Sequence, residues 1–155
     1  MSRDLKVELI QEVGLESRMH QNAQDAFDDA ACAVLGINRT DARCLDIVDR
    51  AGPMTAGALQ AVDQRRDGTG RQPALPRERA GYVSRVRDTE DRRRVLVEMT
   101  DLARAAAAPI WGPIAEEAGR WLSTYDEEQL RFVRDFLREA RAFLDRHRAR
   151  VEAME

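Results

Sequence analysis

Apolar residues return every three or four positions over the front of the chain, which is the spacing of an amphipathic helix. One such pattern runs from Asp4 to Leu35 and a second runs from Asp41 to about Arg50. Gly36 ends the first helix, and the stretch Asn38 to Thr40 offers side chains that cap the second. Thr55 can cap a third helix. The front half is therefore predicted to be helical.

The pattern changes from helical to alternating in the middle of the chain. Residues 82–86 and 95–99 are rich in β-branched side chains, which predicts two short strands. The polar stretch from Arg87 to Arg94 lies between them and is expected to form the tip of a hairpin that projects from the body. The predicted fold class is mainly α with a small β-hairpin.

A fourth helix follows the hairpin. Thr100 can cap its N-terminus, and its pattern continues to Leu122. Pro109 and Pro113 are expected to interrupt this helix, because proline lacks the N–H that a helix interior uses.

The final helix carries the most regular pattern in the sequence. It is expected to be started by Ser123 or Thr124 and to extend from Asp126 to about Ala153. Its apolar positions alternate steps of three and four, as in a heptad seam: Leu130, Val133, Leu137, Ala140, Leu144, His147 and Val151. Further apolar side chains widen the stripe: Phe132, Phe136 and Phe143. A second subunit is the expected cover, and packing on the protein's own first helix is a compatible alternative.

Length and composition favour one globular domain. The chain has 155 residues, of which 43% are hydrophobic and 34% are charged, and this balance excludes disorder. Uncharged stretches such as Ala105 to Ala115 are far shorter than the ~20 apolar residues of a membrane span. The segment Met1 to Ile10 is charged and is not a secretory signal, so we expect a cytoplasmic protein. Cys32 and Cys44 are expected to be reduced, buried thiols.

Charge is distributed unevenly along the chain. The segment from Arg65 to Arg94 holds ten arginines and five acidic residues, a net charge of +5, so the remainder carries −8 of the total −3. A basic island in an acidic protein is expected where a polyanion such as nucleic acid docks. A solvated charged surface is the alternative.

Several short strings resemble the MarR family of bacterial transcriptional regulators. They are Leu35–Asp41, Pro53–Leu59, Ala80–Val83, Asp88–Arg94 and Val95–Thr100, and the wing stretch is the most specific. The resemblance covers nearly the whole chain. It implies a single unit over residues 1–155, with a winged helix-turn-helix lobe at 37–100. It also implies a homodimer formed by the helical regions 1–36 and 101–155.

The resemblance further implies a double-stranded DNA partner and a set of contact residues. The family's wing motif falls on Asp91 and Arg93. A guanidinium at a hairpin tip can enter the narrow, negative minor groove, and the neighbouring carboxylate can orient it. The other expected DNA contacts are Thr55, Arg65, Arg66, Arg71, Arg77, Arg85, Arg87, Arg92 and Arg94.

Regulators of this family commonly bind a small-molecule effector between the dimerisation helices and the DNA-binding lobe. This implies a pocket near Met19, His20, Cys44 and Trp111, although ordinary core and interface packing is the better explanation for each of these residues taken singly. A repressor released by its effector is the expected function. The alternative is an interaction protein of the same fold that dimerises but no longer binds an operator.

One segment departs from the family pattern. Residues 60–79 stand where a recognition helix is expected, yet four of them would cost about 8 kcal/mol inside a helix: Gly68, Gly70, Pro73 and Pro76. Three explanations compete: a basic loop that contacts DNA through its arginines, a lost DNA-reading function, or a stretch recorded in a shifted reading frame. We favour the third, which the coding DNA across these codons can decide.

The spacing of the residues indicates neither a catalytic site nor a metal site. His20 and His147 lie on different predicted helices, and no catalytic triad can be assembled around either. Asp25, Asp28 and Asp29 share a helix face, which is expected to be solvated rather than to bind a metal. We therefore expect neither an enzyme nor a cofactor.

Overall fold

The computed structural model describes residues 3–67, 81–89 and 91–154, and the side chains among these other than those of residues 3 and 63–67. The described part is mainly helical with one small sheet, as predicted. The elements are α1 (Arg3–Leu35), α2 (Arg39–Ala51), β1 (Met54–Thr55), α3 (Ala56–Asp67), β2 (Val83–Arg87), β3 (Val95–Met99), α4 (Asp101–Leu122) and α5 (Glu127–Glu152).

A tight reversal joins α1 to α2. Gly36 has a φ of 66°, in the left-handed region that favours glycine at the end of a helix. The N–H of Ile37 donates to the carbonyl oxygen of Cys32 at 3.1 Å. Asn38 then caps α2, its side-chain oxygen accepting from the N–H of Asp41 at 2.8 Å. Both turn signals in the sequence are therefore used.

The sheet is antiparallel and has the order β1-β3-β2. The predicted hairpin supplies β2 and β3, with Arg85 opposite Val97. The two-residue strand β1 adds a third member, with Met54 opposite Val97. The sequence analysis missed β1 because two residues are too few to show an alternating period.

The hydrophobic core lies in the lobe formed by α2, α3, the sheet and the start of α4. Alternate residues of β3 point into it, since Val97 and Met99 are buried, and Leu59 of α3 is 1% exposed. The buried residues of the cluster are Cys44, Leu45, Ile47, Val48, Leu59, Val83, Val97, Met99 and Ala103.

The terminal helices contribute little to this core. α5 has no buried residue, and large apolar side chains lie exposed along α1 and α5. Examples on α5 are Phe132 at 71%, Leu137 at 58% and Leu144 at 65% exposure. An apolar surface this extensive is unusual for a monomer.

Two predictions about helix boundaries are wrong. α4 continues without interruption through Pro109 and Pro113, because each proline withdraws only its own N–H and leaves the other helical bonds in place. The last helix is capped not by Ser123 or Thr124 but by Asp126, which forms a reciprocal capping box with Gln129.

The third helix enters the segment that departs from the family pattern. α3 continues through residues 60–67 and ends at Asp67, directly before Gly68. The helix thus occupies the front of this segment, before the residues that were expected to break it. Residues 68–80 lie outside the described residues, so the three explanations for the segment stay open.

We predict that Leu59→Ala lowers the free energy of unfolding by about 3 kcal/mol, because it removes a fully buried side chain and leaves a cavity. Chemical denaturation followed by circular dichroism measures this change. Val62→Ala, at a position on the same helix that is 37% exposed, is the control and should change stability by less than about 1 kcal/mol. Equal losses in the two variants would contradict the assigned core.

Candidate nucleic-acid interface and the cleft beside it

The hairpin β2–β3 leaves the core as it runs toward its tip. Val83 is buried, whereas Arg85 and Arg87, which follow at alternate positions on β2, are exposed. The tip brings three further exposed arginines, Arg92, Arg93 and Arg94. The hairpin therefore presents a concentrated positive charge away from the body of the lobe.

Asp91 orders the tip of this hairpin. Its carboxylate accepts from the backbone N–H of Arg93 at 3.0 Å, and its carbonyl oxygen accepts from the N–H of Arg94 at 2.8 Å. The carbonyl of Arg94 in turn accepts from the N–H of Asp88 at 3.1 Å. The turn is thus closed by three hydrogen bonds.

The role predicted for Asp91 needs correction. We expected its carboxylate to orient the Arg93 guanidinium, but it holds the Arg93 backbone instead. An aspartate bonds readily to the N–H two residues later, because this closes a small ring without ordering a long side chain. Asp91 therefore fixes where the Arg93 side chain departs from the turn.

The start of α3 lies on the same lobe as the hairpin. The Thr55 hydroxyl accepts from the N–H of Ala58 at 3.2 Å, so Thr55 caps α3 as predicted. Arg65 and Arg66 lie on the last turns of α3, and nothing is described of their side chains. The predicted contacts Arg71 and Arg77 lie outside the described residues.

The base of the hairpin is anchored to both neighbouring helices. The Tyr82 hydroxyl donates to the carbonyl oxygen of Leu35, at the end of α1, at 3.2 Å. The hydroxyl of Thr100, which caps α4, donates to the Gly81 carbonyl at 2.7 Å. Gly81 has a φ of 69°, and a Cβ there would lie 3.2 Å from a methyl carbon of Leu102. The positive φ and this close approach both favour glycine at this position.

A cleft of about 970 Å³ separates α1 from the lobe. Its walls come from α1, α2, the base of the hairpin and α4, and they include Asp25, Arg39, Tyr82 and Trp111. Trp111 also makes an edge-to-face contact with Phe27, with ring centroids 6.2 Å apart. The cleft therefore lies where the resemblance implied an effector pocket.

Only one of the four residues predicted for this pocket lines the cleft. Trp111 does so, whereas Met19 and His20 lie on exposed positions of α1 and Cys44 is 1% exposed within the core. The resemblance implied a pocket at α1, α2 and α4, and all three helices line the cleft, but the α1 residues at the cleft run from Gln21, next to His20, to Leu35, about four turns further along. The cleft residues on α1 that the sequence analysis did not propose for a pocket are Gln21, Asp25, Asp28, Ala31, Cys32 and Leu35.

The sequence analysis also missed the role of Arg39, at the first position of α2. Its guanidinium contacts three carboxylates of α1: Asp25 at 2.7 Å, Asp28 at 3.3 Å and Asp29 at 3.2 Å. These aspartates remain 47%, 53% and 65% exposed, as expected for a solvated face, and the turn at Gly36 additionally brings Arg39 of α2 onto that face. Spacing within one helix could not show a partner beyond the turn.

The hydrogen bond from Arg39 lowers the pKa of Asp25 below its ordinary value of 3.8, with a further contribution from Gln21. The Arg39 pKa is raised, chiefly by its bond to Asp25. Burial raises the pKa of the Cys32 thiol, against the opposing charge of Arg39. Both cysteines are buried and neither forms a disulfide, as predicted. A raised pKa disfavours the reactive thiolate.

Metal-binding clusters and membrane spans are both absent from the part of the chain that the structure describes. Among these residues, no group of three or more His, Cys, Asp or Glu side chains is placed to hold a metal ion. None of the helices in the described ranges is both long and apolar enough to cross a membrane.

Comparisons with known proteins agree with this geometry. No family model matches the sequence. It is 31% identical over 126 residues to YcgE of Bacillus subtilis (strain 168), an uncharacterised HTH-type transcriptional regulator, covering 81% of this chain and 82% of that protein.

Solved structures show the same fold. A mutant form of MepR, from a multidrug resistant S. aureus clinical isolate, has a TM-score of 0.61 at 17% identity, with 85% of this chain and 96% of that chain covered. Reduced AbfR of Staphylococcus epidermidis bound to DNA has a TM-score of 0.51 at 17% identity, with 92% and 99% covered. MepR and AbfR are MarR-family regulators, so the winged-helix prediction is confirmed.

We predict that the Asp25 carboxyl titrates below 3.8 and returns toward that value in Arg39→Gln. Because the folded pKa is lowered, the stabilising contact is fully present above pH 3.8 and is lost as the pH falls through the lowered value. Carboxyl chemical shifts recorded by NMR against pH measure both values. An unshifted Asp25 in the wild-type protein would contradict the observed contact.

Proposed function

This chain belongs to the MarR family of HTH-type transcriptional regulators, and from that premise we propose that it is a dimeric, sequence-specific DNA-binding repressor controlled by a small-molecule effector. It would act in the cytoplasm, on double-stranded DNA. The observation that carries this proposal is the hairpin whose tip is closed by Asp91 and presents Arg93 to solvent.

The uncovered apolar surface supports the homodimer. α5 exposes a stripe of phenylalanine and leucine side chains, and α1 exposes a second apolar set near its N-terminus. Burying such a surface is favourable in proportion to its apolar area. A second copy of the chain carries the same apolar surface, so the two copies can cover each other in a two-fold interface. Residues 1–36 and 101–155 would form the interface, and residues 37–100 would remain free to bind DNA.

The charge on the hairpin supports DNA binding. Arg93 would enter the minor groove, where the potential is most negative, and Arg85, Arg87, Arg92 and Arg94 would contact phosphates. Thr55, at the N-terminus of α3, would lie near a further phosphate. Two lobes related by a two-fold axis would read half-sites about one helical turn, roughly 34 Å, apart.

The cleft supports the effector. It is lined by α1, which belongs to the proposed dimer interface, and by α2 and the base of the hairpin, which belong to the lobe. A molecule bound there with different affinities for two lobe orientations would shift the population between them. Release of DNA by such a molecule is the proposed mode of regulation.

The departure at residues 60–79 favours a second candidate function. If this segment is the true sequence and DNA reading has been lost, the protein would be an interaction protein that dimerises without binding an operator. If the segment is a basic loop that contacts DNA through its arginines, or if its coding DNA in another frame restores a recognition helix over residues 60–79, the first function stands. Salt dependence separates the two candidates, since neutralising DNA phosphates makes affinity fall steeply with salt.

We predict that Arg93→Ala weakens DNA binding by about 10- to 100-fold and lowers the slope of log affinity against log salt by about 1. The measurement is fluorescence anisotropy at several salt concentrations, with a fragment selected by the wild-type protein from a random library. Arg120→Ala is the matched control. It removes the same charge from an exposed position near the far end of α4, ~28 Å along the helix from the hairpin.

The control should bind as the wild-type protein does. An Arg93→Ala complex of unchanged affinity and salt slope would remove the hairpin from the proposed mechanism. A wild-type protein that selects no fragment would instead support the interaction protein.

We predict that the wild-type protein sediments as a dimer of twice the 17.6 kDa chain mass, and that Phe136→Asp dissociates it. Phe136 is 43% exposed within one subunit, so a carboxylate there is tolerated by a monomer but is costly inside an interface. Analytical ultracentrifugation over a concentration series measures the equilibrium. Ala142→Asp, on the opposite face of α5, is the control and should remain dimeric. A Phe136→Asp protein that sediments like the wild type would place the interface elsewhere.

A further inference from the structure

Two polar contacts join α1 to the DNA-binding lobe across the cleft. In the first, Arg39 of α2 contacts the carboxylates of Asp25, Asp28 and Asp29. In the second, the Tyr82 hydroxyl donates to the carbonyl oxygen of Leu35, the last residue of α1. Both contacts therefore span the boundary between the proposed dimerisation region and the lobe.

The Arg39 contact is directional. One terminal nitrogen lies 2.7 Å from Asp25 and 3.3 Å from Asp28, while the other lies 3.2 Å from Asp29 and 3.5 Å from the Asp25 carbonyl oxygen. A guanidinium is planar, so acceptors at both terminal nitrogens fix its orientation as well as its position. Rotation of α2 against α1 would disturb several of these bonds together.

The Arg39 contact lies far from the turn that joins the two helices. Three residues, 36–38, connect α1 to α2, and the turn is held by the hydrogen bond from the Ile37 N–H to the Cys32 carbonyl oxygen and by packing of Ile37 against the core. The Asp25 carboxylate that Arg39 contacts belongs to a residue about 15 Å along α1 from its last residue, Leu35. A contact at that distance from the turn restrains the angle between the helices more than the turn alone does.

Stability of the fold is a poor explanation for this arrangement. The Arg39 side chain is 43% exposed, and its three partners are 47%, 53% and 65% exposed. Ion pairs this exposed contribute little to the free energy of unfolding. They can still select between orientations that are otherwise close in energy.

We propose that Arg39 is a positioning residue whose contact with Asp25, Asp28 and Asp29 sets the angle of the lobe and so the spacing of the two half-sites that the dimer accepts. This inference rests on the proposed function. A rotation of about 10° at the end of an arm of roughly 20 Å moves a DNA-contacting group by about 3.5 Å, which is one base-pair step. Small changes at Arg39 therefore alter the accepted spacing.

The test compares Arg39→Gln with Arg50→Gln. Arg50 pairs with Asp46 inside α2, so the control removes the same charge from the same helix without touching α1. Affinity is measured for fragments in which the spacing of the selected half-sites is changed one base pair at a time. For each base pair by which the spacing is changed, the DNA affinity of the wild type and of Arg50→Gln should fall about tenfold or more. The affinity of Arg39→Gln should fall less than about threefold.

An Arg39→Gln protein with the spacing preference of the wild type overturns the proposal. The variant with Asp25→Asn, Asp28→Asn and Asp29→Asn together should reproduce Arg39→Gln, and adding Arg39→Gln to it should change nothing more. If the effects of the triple aspartate variant and of Arg39→Gln on the spacing preference simply add, the aspartates and Arg39 do not act through one contact, and the proposal is overturned. Thermal unfolding of all variants should remain within a few degrees of the wild type.

A second measurement needs neither DNA nor a dimer. Spin labels are attached at Glu16→Cys on α1 and Thr89→Cys on the hairpin, since both native thiols are buried, and labelled chains are diluted with unlabelled protein. Arg39→Gln should broaden the distance distribution and Arg50→Gln should not. If the protein binds no DNA fragment, the proposed function fails. An unchanged spin-label distance distribution in Arg39→Gln overturns the positioning role of Arg39, whether or not DNA is bound.

Discussion

Burial of the apolar face of α2 against the sheet and Leu59 is the interaction on which the lobe depends. β3 occupies the centre of the sheet, and it supplies Val97 and Met99 to the core. The same strand returns from the tip of the hairpin, so the position of the arginines is fixed by the packing of residues behind them. Anchors at Tyr82 and Thr100 hold the base of the hairpin to the neighbouring helices.

This core is small for a chain of 155 residues. The two longest helices, α1 and α5, leave most of their apolar side chains exposed, and α4 buries Ala103 alone among the described residues. The apolar surface of the lobe is buried in its own core and leaves these faces uncovered. The uncovered faces of the terminal helices are the surface that the proposed dimer would bury.

The junction between the two regions is partly open. A cleft occupies it, and polar contacts of Arg39 and Tyr82 link α1 to the lobe there. Exposed polar contacts are weak individually, so they can be rearranged by a bound molecule more readily than packed apolar residues can. Such a junction is compatible with the proposed regulation by an effector.

The sequence by itself determined the presence of the five described helices and the hairpin, though not the continuity of α4 or the cap of α5, because periodicity, caps and turn residues act between near neighbours in the chain. Gly36, Asn38 and Thr55 mark boundaries through local hydrogen bonds and backbone freedom. The arginines of the hairpin were likewise visible as a run of charge. The strand β1 was not predicted because it is defined by its pairing with β3, which lies about forty residues away in the chain.

Tertiary structure decided which distant groups meet. Asp25 acquires Arg39 as a partner through the turn between their helices, and Trp111 reaches the cleft while Met19 does not, through the crossing of α1 and α4. Asp91 binds the Arg93 backbone rather than its guanidinium, since the turn geometry offers the nearer donor. Local pattern specifies the elements, whereas contacts between elements depend on crossing angles and registers that emerge only when the core is packed.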